Sequence, residues 1–304
     1  MSVVLLSGGT GGAKLAAGLY EIIGERLTVV ANTGDDIEIY GTHVSPDPDL
    51  ITYWLAGLID ERGWGIAGDS FAVTGMLREL GVDVWFNLGD RDMAVCVERS
   101  RLLAQGLTPT GAHARLSAAL GVSARILPMS DEPVVTRILT SGAWVPLQEF
   151  MIQLGGTAPI ENVQFAGAAQ ATPSEAVLEA IADARVIIIG PSNPVISIGP
   201  ILALAGMREV LIRSRAPVVA VSPIVGGAVL KGPTAECLRW AGVDASGSGV
   251  ARYYGDLLDA IIGDEKVAGL RSLRSDTLMT SREQRLSVAQ HVLELIESLA
   301  ASPD

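Results

Sequence analysis

The chain has 304 residues, with 34 Asp and Glu against 22 Lys and Arg, a formal charge of −12 and a pI near 4.7. That balance excludes a nucleic-acid polyanion as the main partner, since backbone binding needs a local excess of cations, but it leaves small anionic ligands open. Apolar residues are 49% and charged residues 18%, the composition of a folded globular chain rather than a disordered one.

Val3-Val4-Leu5-Leu6 is a short aliphatic run that stops at Ser7-Gly8-Gly9-Thr10-Gly11-Gly12, after which Leu15, Leu19, Ile22 and Ile23 keep helical spacing. The pattern predicts strand, glycine turn, and a helix over 13 to 23. A second strand, 27 to 31, ends in Asn32-Thr33-Gly34-Asp35-Asp36, which completes a βαβ unit and implies a parallel sheet. From 50 to 121 the spacing becomes mostly helical, with helices expected over 50 to 61, 71 to 80, 90 to 105 and 108 to 120. This stretch reads as a helical insertion or cap within one Rossmann-like domain spanning 1 to 304.

Strand-like runs return at 124 to 128, 134 to 139 and 162 to 166, and Ser174 caps a helix ending near 183. Two more apolar strands, 185 to 189 and 218 to 221, end in Gly190-Pro191-Ser192-Asn193-Pro194 and Ser222-Pro223. Residues 246 to 250 read as a loop and 282 to 299 as an amphipathic helix. Several ends of one parallel sheet thus carry small and polar residues, and ligands of open α/β sheets sit outside the carboxyl ends of the strands. The fold expected is α/β, a Rossmann-like three-layer parallel sheet.

The first apolar run is too short for a secretory signal, and no run reaches the roughly 18 residues of a membrane helix. A cytoplasmic protein with no membrane partner is expected, with Cys96 and Cys237 as unpaired buried thiols. Three histidines, His43, His113 and His291, offer neither a zinc set nor a triad.

The turn Ser7 to Lys14 is neither a P-loop nor the dinucleotide fingerprint, because Lys14 stands where the third glycine is required. It is either a phosphate cradle of backbone N–H groups with Lys14 one turn in, or simply a tight strand-to-helix turn. Asp35, Asp36, Asp47 and Asp49 put four carboxylates within 15 positions, suiting a hard cation such as Mg²⁺. Asp49 could equally be a helix N-cap. Asp90 could cap the helix it precedes. Arg91 could be a surface cation or a bidentate phosphate clamp. Trp54, Trp64, Phe71, Trp85 and Phe86 could be core or a stacking surface for a planar ligand.

Taken together, SGGTGGAKL, NTGDD, HVSPDPD, LGDRD, LPMSD, IGPSNPVISIGPIL, VAVSPIVGG and SDTLM resemble, in order and over nearly the whole chain, the 2-phospho-L-lactate transferases of coenzyme F-420 biosynthesis. The resemblance implies a Mg²⁺-dependent homodimer whose substrates are the deazaflavin Fo and a guanosine diphospho-acid donor. The ribityl hydroxyl of Fo attacks the phosphorus next to the small acid, GMP leaves and a phosphodiester forms. The acid is phospholactate, phosphoenolpyruvate or phosphoglycerate. It further implies that Gly8, Gly9, Thr10, Gly11, Gly12, Lys14, Asn32, Ser45, Asp90, Ser192 and Asn193 bind substrate, that Asp49 and Asn87 contact Fo, and that Asp36, Asp47 and Asp49 hold Mg²⁺. Asp36, Asp49 and Arg91 are its catalytic candidates. Asn87 stands where the family often has a basic residue or Gly. Gluconeogenesis-factor-type proteins, which bind nucleotide-sugars without turnover, share the glycine turn and acidic segment and are the alternative. They lack the GPSNP and LGDRD blocks.

Overall fold

Strand β1 (Val3–Ser7) runs into helix α1 (Gly9–Ile23) and is followed by β2 (Leu27–Ala31) in a computed structural model that describes residues 2–230 and 232–300. A hairpin of β3 (Ile37–Ile39) and β4 (Thr42–Val44) then leads to α2 (Pro46–Leu55), α3 (Ala72–Glu79), α4 (Asp90–Ala104) and α5 (Pro109–Ala119). Strand β5 (Arg125–Pro128) precedes a small antiparallel sheet of β6 (Val135–Thr140), β7 (Ala143–Pro146) and β8 (Asn162–Ala166), with α6 (Leu147–Ile152) between the last two.

The second half carries α7 (Glu175–Ala182), β9 (Val186–Ile189), a π-helical turn (Pro194–Ile198), α8 (Gly199–Leu202), α9 (Met207–Arg213) and β10 (Val218–Val221). A hairpin of β11 (Ile224–Val225) and β12 (Ala228–Val229) follows, then α10 (Thr234–Trp240), α11 (Gly247–Tyr254), β13 (Ala260–Gly263), β14 (Arg271–Arg274) and α12 (Arg282–Ala300).

Seven strands form one parallel sheet in the order β14-β13-β10-β9-β1-β2-β5. The chain fills one side of β1 first and then the other, so the switch point lies between β1 and β9, where ligands of such sheets bind. Strand residues alternate between two cores. Val3, Leu5, Val186 and Ile188 pack with Leu15, Leu19 and Val292 on one face, while Val4, Leu6, Ile187 and Ile189 pack with Val177, Leu211 and Val250 on the other. Helices cover both faces, which makes a helix–sheet–helix sandwich and explains why these strands read as continuous aliphatic runs. Each fully buried Leu or Ile contributes roughly 1.5–3 kcal/mol to that sandwich.

Three expectations are corrected, and strand β14 has no counterpart in the sequence reading. Helix α1 begins at Gly9, so the glycines form its first turn rather than a loop before it. Helix α2 begins at Pro46 and carries Asp47 and Asp49 in its first turn, so Asp49 is not its N-cap. Pro is preorganised for the first helical position, which moves the start upstream of the apolar pattern. The loop expected at 246 to 250 is helical: Ser246 Oγ accepts from Gly249 N and caps α11, whose glycines obscure the helical pattern. The charged edge strand β14 has too little apolar content to be read as a strand.

The helices in the stretch from 50 to 121 differ in what they pack against. Helix α2 packs on α1 and β5, and α5 packs on β5, so both belong to the sandwich, and α3 with the loops around it forms the projecting part. Among the described residues no single helix is long and apolar enough to cross a membrane. Cys96 and Cys237 are both free and buried.

Candidate functional site

The carboxyl ends of β1, β9 and β10 open into a cavity of about 1020 Å³, closed on its far side by the segment from α2 to α4. Its floor at the switch point is the glycine turn. Gly9 has φ +63°, a left-handed backbone that favours glycine, and a Cβ at Gly11 would stand 2.0 Å from the Pro191 carbonyl oxygen. Gly8 N donates to Ser192 Oγ at 3.2 Å across the crevice between β1 and β9. Asp47 accepts from Gly9 N at 2.5 Å and from Asn32 Nδ2 at 2.9 Å, which ties α2 to the start of α1. Burial pushes the Asp47 carboxyl up to about 6 against those two hydrogen bonds. Asn32 also reaches Asp35, which Gln148 Nε2 contacts from α6 at 2.9 Å, and burial with the charges of Asp47 and Asp36 holds the Asp35 carboxyl well above its ordinary range.

The opposite wall is built by α2 and α4. Arg99, 3% exposed, pairs with Asp49 Oδ1 and donates to the His43 carbonyl at 3.2 Å. This leaves Asp49 Oδ2 buried with no partner among the described residues. Tyr53 donates its hydroxyl to Asp92 Oδ1 at 2.7 Å, and Asp92 is pushed up to about 6 by burial first and by the Asp49 charge second. Asp49, Asp92 and Cys96 bring one ligand atom each within 4.8 Å of one another. Trp64, Phe71, Trp85 and Phe86 line the same wall, with Trp85 and Phe86 edge to face at 5.7 Å. Cavity residues therefore include an N–H-rich turn, carboxylates and aromatic rings, a set suited to a phosphorylated ligand beside a planar one.

Of the residues singled out in the sequence, Gly8, Gly9, Thr10, Gly11, Lys14, Asp47, Asp49, Asn87, Ser192 and Asn193 line the cavity. The other six do not. Gly12 sits behind the turn, where a Cβ would meet Ser7 Oγ at 2.1 Å. Asn32 is 1% exposed and acts on Asp47. Asp36 is taken up by His43 Nε2 at 3.1 Å and by the Ser45 hydroxyl at 2.8 Å, so neither Asp36 nor Ser45 reaches the cavity. Asp90 accepts from Ser70 Oγ and from the N–H groups of Ala72 and Val73, capping α3 rather than its own helix. Arg91 donates to the Ala67 carbonyl at 3.1 Å and does not line the cavity. Of the Mg²⁺ set, Asp47 and Asp49 therefore line the cavity, whereas Asp36 lies off it.

Arg62, Asp69, Tyr53, Asp92 and Ser222 also line the cavity. Asp69 accepts from Arg91 N and Asp92 N and so caps α4. Asp92, Cys96 and Arg99 lie at i, i+4 and i+7, one face of a helix, a spacing visible in the sequence, where Arg99 had not been singled out. Arg62 and Asp69 sit in an irregular loop with no such spacing. Of the five aromatics, Trp54 alone stays off the cavity, with Arg285 stacked 4.9 Å over its ring.

The family described as 2-phospho-L-lactate transferase CofD matches residues 3–296. A 2-phospho-L-lactate transferase of Methanosarcina mazei is 41% identical over 96% of this chain and 99% of its own length. A phosphoenolpyruvate transferase of Kitasatospora aureofaciens is 39% identical over 98% and 99%. Among solved structures, a UPF0052-family protein of Bacillus halodurans superposes with a TM-score of 0.63 at 17% identity, covering 96% of this chain and 98% of that one, a likeness of fold. With its match extending over nearly every residue of the sandwich and of the cavity it encloses, the chain belongs to the CofD family of transferases.

Proposed function

We propose that this protein transfers a phospho-acid from a guanosine diphospho-acid donor to the terminal ribityl hydroxyl of the deazaflavin Fo. The acid is 2-phospho-L-lactate or its phosphoenolpyruvate or 3-phosphoglycerate equivalent, and the step belongs to coenzyme F-420 biosynthesis. The observation that carries this reading is the single cavity that joins the glycine turn to an acidic and aromatic wall. Full-length relatives near 40% identity with both transferase names support it.

The hydroxyl oxygen attacks the phosphorus bonded to the acid, the bond from that phosphorus to the oxygen of GMP breaks, and its electron pair leaves with GMP. The hydroxyl proton passes to solvent or to a wall carboxylate. Such a transfer needs positioning and charge stabilisation and no covalent intermediate, which accords with a cavity lacking a nucleophilic Ser–His or Cys–His pair among its lining residues. The turn at Gly8 to Gly11 with Ser192 and Lys14 faces the diphosphate, and Trp64, Phe71, Trp85 and Phe86 face the deazaflavin. Asp49 orients the attacking hydroxyl, with Asn87 as a neutral hydrogen-bonding neighbour.

Mg²⁺, a homodimer and a cytoplasmic setting belong to the same reading through the family resemblance. Asp47, which lines the cavity beside the glycine turn, would offer one carboxylate contact to a divalent ion that takes its other ligands from phosphate oxygens. Bound there, the ion would neutralise charge on the phosphoryl oxygens. Incubation with Fo, Mg²⁺ and each of the three donors in turn tests the proposal. One donor should release GMP and yield a deazaflavin phosphodiester, and no product from any of them overturns it.

A further inference from the structure

One ligand atom from each of Asp49, Asp92 and Cys96 lies within 4.8 Å of the others, and Asp49 also carries a buried oxygen, Oδ2, with no hydrogen-bond partner among the described residues. Asp92 and Cys96 stand one turn apart on α4, so their side chains share a face, and Asp49 comes to meet them from α2. The other oxygens are already committed: Asp49 Oδ1 to Arg99 and Asp92 Oδ1 to the Tyr53 hydroxyl. Those bonds fix the two carboxylates and leave Asp49 Oδ2 without a partner among the described residues. Cys96 is fully buried, whereas Asp49 and Asp92 line the cavity, so an ion reaches the group from the cavity and meets sulfur at its back.

We propose that Asp49 Oδ2, Asp92 Oδ2 and Cys96 Sγ form a mixed oxygen and sulfur site for a borderline divalent cation such as Zn²⁺ or Co²⁺, which it takes in preference to Mg²⁺. Thiolate ligands select ions softer than Mg²⁺, which demands oxygen. Binding deprotonates the Cys96 thiol and releases one proton to solvent. Two carboxylates and the thiolate, offset by Arg99, then leave two negative charges to match the ion. The arrangement of three protein ligands beside a cavity is that of an ion with an open position. Metal binding here does not depend on the transfer reaction and is measured without it.

The test is a Co²⁺ titration of the full-length protein, followed by the near-ultraviolet charge-transfer band that thiolate-bound cobalt produces. One equivalent of Co²⁺ should generate the band. Mg²⁺ at a hundredfold excess should leave it in place, and Zn²⁺ at stoichiometric concentration should abolish it. Cys96→Ser should remove the band and weaken Co²⁺ binding at least tenfold, Asp92→Asn should weaken binding at least tenfold, and Cys237→Ser should change neither. A wild-type protein that gives no band, displacement by Mg²⁺ at concentrations equal to Co²⁺, or a band that survives Cys96→Ser each overturns the site. The competition arm on the wild-type protein decides the question even if a variant misfolds.

Discussion

On the sheet side of the cavity, Gly8, Gly9 and Gly11 present backbone beside Ser192, Pro191 and Asp47, with no room for a Cβ at Gly8 or Gly11 and a left-handed φ at Gly9. On the facing wall the ligand meets side chains: Trp64 is 54% exposed and Phe71 37%, on segments outside the sandwich. The first region is shaped by the packing of the fold itself, so it is formed before any ligand arrives. The second is shaped by side chains with solvent on one face, so part of its order waits for a ligand to cover it. Between them lies the Asp49–Arg99 pair, a buried charge pair that joins α2 to α4.

That division of labour can be broken most sharply at the joint. Arg99→Met leaves Asp49 as an unpaired buried carboxylate, and urea unfolding should show a loss of about 4 kcal/mol; a loss below about 1 kcal/mol would mean that the pair does not bind the wall to the core. On the backbone side, Gly11→Ala drives a Cβ into the Pro191 carbonyl. Stability should fall by about 3 kcal/mol, with guanosine diphosphate binding lost in calorimetry. Binding unchanged from wild type would show that the turn is not where the nucleotide sits.

Behind the wall, His113 Nε2 lies 3.1 Å from Thr52 Oγ1, whose proton goes to the Pro48 carbonyl. The imidazole is therefore the donor through Nε2, and Nδ1 is left buried without a partner among the described residues. Burial lowers its pKa from 6.5 to about 3, so below pH 6.5 the unfolded chain takes up a proton that the folded chain refuses. Stability conferred by the neutral histidine is complete above pH 6.5 and is lost as the pH falls toward 3, at about 1.4 kcal/mol per pH unit. Compared between pH 6.5 and pH 5, wild type should lose about 2 kcal/mol more than His113→Gln, and parallel unfolding profiles would refute a buried neutral histidine.

Smaller effects separate the two faces by kinetics. Asp49→Asn should cut turnover at least tenfold, about 1.4 kcal/mol in the barrier, with nucleotide binding retained. Full activity would reduce Asp49 to a structural partner of Arg99. Trp64→Ala should raise the KM for Fo about fivefold, near 1 kcal/mol, and leave the donor KM unchanged; an equal rise for both substrates would place Trp64 against the nucleotide instead.

The parallel sheet was legible because Val3 to Leu6, Val186 to Ile189 and Val218 to Val221 are buried on both faces and so carry an unbroken aliphatic signal. The glycine turn was legible for a related reason, since close backbone approach removes side chains and leaves a visible run. Direction was not legible. Asp36, Asp90 and Arg91 have the residue types of a phosphate or metal site, yet they serve His43 and Ser45, the start of α3 and the Ala67 carbonyl. A carboxylate near a helix start satisfies backbone N–H groups as readily as it holds an ion, and the same local sequence serves both uses.

By itself, the sequence determined the parallel-sheet class, the glycine turn and the family, because burial periodicity and contiguous motifs are local properties of the chain, whereas the strand order that sets the switch point came from the structure. Only tertiary structure decided which carboxylates face the cavity, that Asp92 and Cys96 meet Asp49, and that Arg99 holds Asp49 by one oxygen. Those are contacts between residues up to 50 positions apart, and their geometry is set by how α2 and α4 pack, which no local pattern encodes.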